Sequence, residues 1–186
     1  MAHDNYIDTA KVEVKRGYYE SRALWWETPY VNGKKHGIEK NYYASGALMW
    51  EAPYEDGKEH GIETWYYESG VLKMEISYKN GKKHGITKHY HETGALSWEI
   101  PYVNGERQRI SRGYYGSGTL WGESPYVDGK RHGIEKWYYT SGALRLETPY
   151  VNGEMHGIEK NYDEEKTSIC CLTLYKGDRE VAVIRI

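Results

Sequence analysis

The chain has 186 residues, enough for one ordinary domain, and its 25 basic and 27 acidic residues give a formal net charge of −2. Because no long run carries a single sign, nucleic acid is not an expected partner and an anionic membrane is a disfavoured one. Twenty Tyr and seven Trp but no Phe favour aromatic side chains on half-wet surfaces over a closed core.

Residues 1–11 precede the repetitive part of the chain and form a predicted N-terminal lead-in. They contain no apolar stretch typical of a signal peptide, and no later segment resembles a transmembrane helix. The two cysteines, Cys170 and Cys171, are adjacent and cannot join distant segments, which fits a reducing compartment. These features predict a cytoplasmic protein.

A 24-residue period dominates residues 12–162 and predicts a tandem array of small structural units. His-Gly-Ile recurs in this phase, as do proline, glutamate and two rows of glycine. The histidines are His36, His60, His84, His132 and His156. The prolines are Pro29, Pro53, Pro101, Pro125 and Pro149, and the glutamates are Glu27, Glu51, Glu75, Glu99, Glu123 and Glu147. The first and last copies are weaker, as is typical of terminal repeats.

Each repeat predicts two strands and two tight turns. In residues 36–59, aromatic and aliphatic runs flank Ala44-Ser45-Gly46, and such runs around a glycine triplet are typical of a β-hairpin. The second turn is an Asn-Gly or Asp-Gly triplet such as residues 31–33. Both triplets suit a three-residue loop with glycine at positive φ.

Equal three-residue loops predict a register for the sheet. Tyr42 then faces Leu48, and Lys40 faces Trp50 as a cation–π pair, with Ile38 on that same face. The recurring prolines indicate that strand pairing loosens once per repeat. Since no helical pattern is present to cover the sheet, the predicted fold is all-β. It is an elongated, twisted, single-layer antiparallel sheet of tandem β-hairpin repeats.

Residues 163–186 are predicted to be a degenerate last repeat with a C-terminal capping strand. Val181 to Ile186 is apolar at both alternating sets of positions except Arg185, which is typical of a strand covered on both faces. This strand is expected either to fold over the last hairpin or to pair with another chain, allowing self-association.

The pattern His-Gly-Ile-x-x-x-Tyr-Tyr-x-Ser-Gly-x-Leu-x-x-Glu-x-x-Tyr-x-Asn-Gly-Lys resembles the MORN-repeat variant found in YwqK-type antitoxins, over about residues 12–160. The resemblance implies MORN-like β-hairpin arrays used for binding, and the antitoxin relatives imply neutralisation of a partner protein. Better-known MORN proteins imply scaffolding and, in some, attachment to phosphoinositide membranes. This chain lacks the basic cluster expected for lipid binding.

No constellation in the sequence predicts catalysis, a metal site or a cofactor. Equivalent histidines lie two strands apart, about 10 Å, whereas ligands of one zinc lie within about 4 Å of each other. The histidines are therefore interpreted as structural residues beside the turns, and the glutamate ladder as a solvated row. The cysteines are interpreted as half-buried strand residues. The expected class is a non-enzymatic protein.

The predicted function is protein binding, with an antitoxin-like or inhibitory role as its specific form. Tyr, Trp and Arg are enriched in binding hot spots, and the face carrying tryptophan with cationic tips is the predicted contact surface for an acidic protein. The candidate residues are Trp26, Trp50, Trp98, Lys40, Lys88, Arg112, Tyr42, Tyr66, Tyr90 and Tyr114. A carbohydrate or cell-wall binder and a membrane-associated scaffold remain alternatives.

Overall fold

A computed structural model describes residues 11–165 and 168–186, and in these residues every regular element is a β-strand. Within the described residues twenty strands form one antiparallel sheet; each two-residue strand pairs only with the long strand before it, which also pairs with the six-residue strand that follows, as β2 pairs with both β3 and β4. The predicted all-β sheet of tandem hairpins is confirmed. Residues 1–10, most of the predicted lead-in, lie outside the described residues.

Long strands alternate with two-residue and six-residue strands through most of the chain. In order they are β1 (Val12–Tyr18), β2 (Leu24–Val31), β3 (Lys34–Lys35), β4 (Gly37–Tyr42), β5 (Leu48–Glu55), β6 (Lys58–Glu59), β7 (Gly61–Tyr66), β8 (Leu72–Lys79), β9 (Lys82–Lys83), β10 (Gly85–Tyr90), β11 (Leu96–Val103), β12 (Glu106–Arg107), β13 (Arg109–Tyr114), β14 (Leu120–Val127), β15 (Lys130–Arg131), β16 (Gly133–Tyr138), β17 (Leu144–Val151), β18 (Glu154–Tyr162), β19 (Ile169–Lys176) and β20 (Arg179–Arg185).

The turn after each eight-residue strand has two residues, not the three predicted. Val31 pairs with Lys34, and both intervening residues have positive φ, 50° at Asn32 and 78° at Gly33. Two positive φ values define a type I′ turn, whose twist matches that of the strands. The other loop does have three residues, 44–46, and Gly46 has the expected positive φ of 88°.

The predicted register is correct beside the three-residue loop and wrong beyond it. Tyr42 pairs with Leu48 as expected, but a bulge follows, so that Asn41 faces Trp50 and Lys40 faces Glu51. A bulge inserts one residue into one strand and moves every later side chain of that strand to the other face. The predicted pair of Lys40 with Trp50 therefore does not form.

The sheet has two chemically different faces, defined here by the register. The tryptophan face carries Trp26, Trp50, Trp65, Trp98 and Trp137, together with buried residues such as Thr28 and Ala52. The isoleucine face carries the prolines, the glutamate ladder and one aliphatic residue per repeat. Those aliphatic residues are Val14, Ile38, Ile62, Ile86, Ile110, Ile134 and Ile158.

Tyrosine hydroxyls connect each repeat to the next. The tyrosine that precedes the three-residue loop donates a hydrogen bond to a backbone carbonyl 23 residues further on. These bonds are Tyr19 to Tyr42, Tyr43 to Tyr66, Tyr67 to Tyr90, Tyr115 to Tyr138 and Tyr139 to Tyr162, at 2.6–2.9 Å. This recurring bond explains why tyrosine, not phenylalanine, occupies the position.

Replacing Tyr67 by Phe tests this connection, because phenylalanine keeps the ring and loses the donor to the Tyr90 carbonyl. We expect Y67F to lower the free energy of unfolding by about 1–2 kcal/mol in urea denaturation, since a part-buried acceptor loses its partner. The control is Y18F, which alters a side chain that is 58% exposed and should change stability by less than about 0.5 kcal/mol. Equal losses in both variants would contradict the role of the bond.

The C-terminal region extends the sheet instead of covering it. Strand β20 pairs antiparallel with β19 as an added edge strand, and its residues are exposed, including Val181 at 55% and Val183 at 45%. The strand therefore does not fold over the last hairpin, and its pairing with another chain stays a prediction. Cys170 and Cys171 lie half-buried in β19, as predicted.

Candidate functional site

The ten candidate residues do not share one face. Trp26, Trp50 and Trp98 lie on the tryptophan face, whereas Lys40, Lys88 and Arg112 lie on the isoleucine face, each opposite a glutamate. The bulge separates them, so the predicted surface of tryptophans with cationic tips is not formed. The tyrosines Tyr42, Tyr66, Tyr90 and Tyr114 occupy equivalent positions at the ends of their strands, and all are half-buried.

The glutamate ladder is paired, not simply solvated. Across the strands, glutamates alternate with the basic row, so that Glu99 lies between Lys88 and Arg112. Ion pairs form at 3.3–3.8 Å between Arg16 and Glu27, Arg112 and Glu123, and Lys160 and Glu147. The tyrosine row adds hydroxyl donors: Tyr42 to Glu27, Tyr90 to Glu75, Tyr114 to Glu99, Tyr138 to Glu123 and Tyr162 to Glu147, at 2.7–3.3 Å.

These contacts raise the pKa of phenols in the tyrosine row. Burial, the hydrogen bond to Glu75 and its charge raise the pKa of Tyr90 to about 12, and burial and Glu147 do the same for Tyr162. Both phenols remain protonated donors at neutral pH. Because cations and anions neutralise each other along the row, the reason for expecting an acidic partner no longer holds on this face.

Beside the paired row runs a stripe of exposed aliphatic side chains, the isoleucine stripe. Its exposed members are Val14, Ile38, Ile62, Ile86, Ile134 and Ile158, at 42–54% exposure. The proline of the following strand lies opposite most of them, as Pro53 lies opposite Ile38. An apolar residue therefore faces solvent in nearly every repeat along the sheet, with half-buried Ile110 as the interruption.

The tryptophan face is more closely packed. Trp50 stacks on Trp65 with ring centroids 5.6 Å apart, and Thr28, Ala52 and Ile76 beneath the larger side chains are at most 6% exposed. Buried Glu39 accepts hydrogen bonds from Lys35 at 2.6 Å and from Thr28 at 2.9 Å. The tryptophans here contact each other more than solvent, which favours a structural role for most of them.

Repeat five interrupts this packing. Gly113 and Gly122 face each other where the corresponding pairs of other repeats include at least one larger residue, and Trp121 lies directly over the Gly113 backbone. Trp121 contacts Trp98 and Trp137, with ring centroids 4.5 and 4.8 Å apart. The three rings border a cleft of about 390 Å³, here called the tryptophan cleft. Sequence reasoning missed Trp121 and Trp137, although the paired glycines would have indicated the cleft once the register was known.

The histidine row has a structural role in several repeats. The His36 and His60 rings approach Asp56 and Glu55 at 4.0 and 3.6 Å, beside the Asp56-Gly57 turn. The His132 ring accepts a long bond from the Asn152 amide at 3.5 Å. In the part of the chain that the structure describes, no three His, Cys, Asp or Glu side chains cluster as metal ligands. Those residues also include no helix long and apolar enough to cross a membrane.

The MORN repeat variant matches four segments of the chain, residues 35–56, 59–80, 83–104 and 131–152. Repeat five, which holds Trp121 and the glycine pair, lies outside these segments. No curated protein matches the chain. The matched segments coincide with regular hairpin units of the sheet, so these four units are similar to the MORN repeat variant.

Proposed function

We propose that the chain is a non-enzymatic binding protein that holds another protein along its isoleucine face. The observation that carries the proposal is the isoleucine stripe, because contiguous exposed apolar surface usually marks an interaction site. Equivalent side chains recur about every 10 Å, two strand spacings, so one partner contacts several repeats at once.

The neighbouring rows indicate how such a partner is held. Three glutamate–cation pairs are already formed on this face and tyrosines donate to most of the glutamates, so burying the aliphatic stripe supplies the affinity and the charged rows form a polar rim. Binding should depend only weakly on ionic strength, because no net charge is left to be screened. The partner therefore presents an elongated apolar ridge.

Two alternative ligands fit this surface less well. Sugars stack on flat aromatic rings, but the stripe is aliphatic and the tryptophans lie on the other face. A membrane would bring the glutamate ladder against lipid headgroups, and the chain carries a net charge of −2. The specific form of the proposal is an inhibitor, as the resemblance to antitoxins implies: a partner covered along its functional surface would lose activity.

The test replaces Ile62 and Ile86 by Asp, two stripe residues that are 54% and 46% exposed. Proteins captured from the source cell by the wild-type chain are identified by mass spectrometry, and the purified partner is titrated calorimetrically. We expect I62D/I86D to lose at least about tenfold in affinity, or about 1.4 kcal/mol, at any salt concentration.

The matched control is V181D/V183D, which makes the same change at 55% and 45% exposure on strand β20. It should bind as the wild type does, with both variants checked for folding by circular dichroism and thermal melts. If the β20 variant alone loses the partner, the edge strand is the contact surface. If both bind normally, or if binding falls steeply with salt, the proposal is overturned.

A further inference from the structure

One column of the tryptophan face changes character in the middle of the array. Four repeats carry a glutamate there, but repeats four and five carry Thr87 and Ser111. The glutamates are Glu39, Glu63, Glu135 and Glu159. In the repeats that have this glutamate, its carboxylate accepts hydrogen bonds from neighbouring side chains. Glu135, for example, accepts from Arg131, four residues earlier, at 3.2 Å and from Ser124.

Arg107 stands four residues before Ser111 and so lacks this carboxylate. Its guanidinium instead donates to the Tyr102 and Tyr126 hydroxyls at 3.4 and 3.1 Å and lies over the Tyr126 ring, 5.3 Å from the centroid. No carboxylate among the described residues pairs with it within 4.0 Å. Two weak neutral acceptors hold the arginine in place and leave its charge available.

Ser111 is the second unusual feature. It is 3% exposed, and its Oγ has no hydrogen-bond partner; the Oγ1 of Thr87 in the same column also lacks one, but of the two only Ser111 lines the tryptophan cleft. A buried hydroxyl without a partner is costly, and beside this cleft it has room to bond a ligand atom. Arg107 lines the same cleft, so a cation and an unpartnered hydroxyl border one space.

The cleft also has the size and lining of a small-molecule site. Its volume of about 390 Å³ lies within the range of ligand pockets, and Trp98, Trp121 and Trp137 provide ring faces and edges. Burial, Lys83 and Arg107 lower the pKa of His89 at its wall, so this ring is neutral at pH 7. The cleft lining contains Arg107, Arg131 and Glu135, so it carries one positive charge in excess.

We propose that the tryptophan cleft binds a small aromatic carboxylate. The carboxylate takes the position that glutamate side chains fill in other repeats, accepting from Arg107 and Ser111, and the aromatic ring lies among Trp98, Trp121 and Trp137. Both parts are needed, because the cation favours an anion and the indole rings favour a flat apolar body. The site lies on the face opposite the isoleucine stripe and is independent of it.

The decisive variant is Ser111→Glu, which supplies within the chain the carboxylate that the ligand would bring. Glutamate is native at this position in four repeats, so the fold should tolerate it. Binding of 1-naphthylacetate, indole-3-acetate and benzoate is measured by calorimetry, with the side-chain indole N–H resonances followed by NMR. We expect the wild type to bind at least one of them with a Kd below about 1 mM, and S111E to bind it at least about tenfold more weakly.

Three controls separate the parts of the site. Thr87→Glu makes the same change one repeat earlier, where Thr87 does not line the cleft, and should leave Kd unchanged. Gly122→Leu, which introduces the residue found at Leu146 in the next repeat, should fill the cleft and abolish binding. The neutral 1-naphthylacetamide should bind at least about tenfold more weakly than the acid.

Several results would overturn the proposal. These are no binding of any of the three acids by the folded wild type, equal binding of the acid and its amide, or unchanged binding by S111E. Shifts confined to indoles outside the cleft, such as Trp26 or Trp50, would equally do so. Loss of ligand in S111E with normal binding in T87E supports the assigned geometry and does not depend on any protein partner.

Discussion

Replacing Gly61 by Ala should lower the free energy of unfolding by about 3 kcal/mol. Gly61 has φ of +112°, and a Cβ there would meet Pro53 Cγ at 3.0 Å. The backbone angle alone costs about 1–3 kcal/mol for a residue with a side chain, and the proline cannot move away easily. Urea denaturation measures the change.

Two other glycines provide a graded control. Gly70 has φ of +85° but open space around it, so G70A should cost about 1 kcal/mol. Gly116 has open space and no positive φ, so G116A should change stability by less than about 0.5 kcal/mol. Similar losses at all three positions would show that proline contact and backbone angle do not explain the glycine of the His-Gly-Ile motif.

This geometry also explains the phase relation between histidine, glycine and proline. On the side of β3 and β4 the pairing of β2 is interrupted between Glu27 and Tyr30, and the amide of His36 donates to the Pro29 carbonyl at 3.0 Å. Gly37 then passes beneath the proline ring, where a Cβ would lie 3.1 Å from Pro29 Cγ. The predicted loosening of pairing once per repeat is thus one irregularity at which these three residue types usually meet, although in repeat five the Gln108 amide donates to the Pro101 carbonyl and Arg109 takes the positive φ.

The general fold was predictable because a fixed period, turn glycines and strand composition all indicate the same hairpin. The register was not, because the bulge at Asn41 leaves no clear mark in the sequence and yet moves Lys40 to the other face. The Asn-Gly turn was a missed signal, since this pair is typical of two-residue type I′ turns. An error of one residue in the register was enough to place residues of the tryptophan face and of the isoleucine face in one predicted site.

The tryptophan cleft shows the same dependence on register. Gly122 was visible as a break in the repeat. That Gly113 lies opposite it, and that Trp121 lies over Gly113, follow only from the observed pairing. Ser111 stands where the next repeat has Glu135, and this difference shows only when the two repeats are aligned. Departures from a repeat become informative when their neighbours across the strands are known.

The stability of the folded protein should be constant from neutral pH to about pH 10 and fall steeply between pH 10 and 12. Burial is the first cause that raises the pKa of Tyr78, Tyr90 and Tyr162 to about 12, above the ordinary value of about 10. Below pH 10 these phenols are protonated in both states. Between the two values they ionise only in the unfolded chain, which favours unfolding.

Urea denaturation across this pH range measures the loss, and Tyr90→Phe isolates one contributor. The slope of the free energy of unfolding against pH gives the number of protons released on unfolding. Near pH 11 this number should be smaller in Y90F by about one, since the variant has no phenol at position 90 to ionise. In the folded state, the difference in phenolate absorbance between wild type and Y90F should rise with a midpoint near 12. A midpoint near 10 while the sheet remains folded would show that Glu75 and burial do not hold the Tyr90 proton, and the paired row on the isoleucine face would lose its main support.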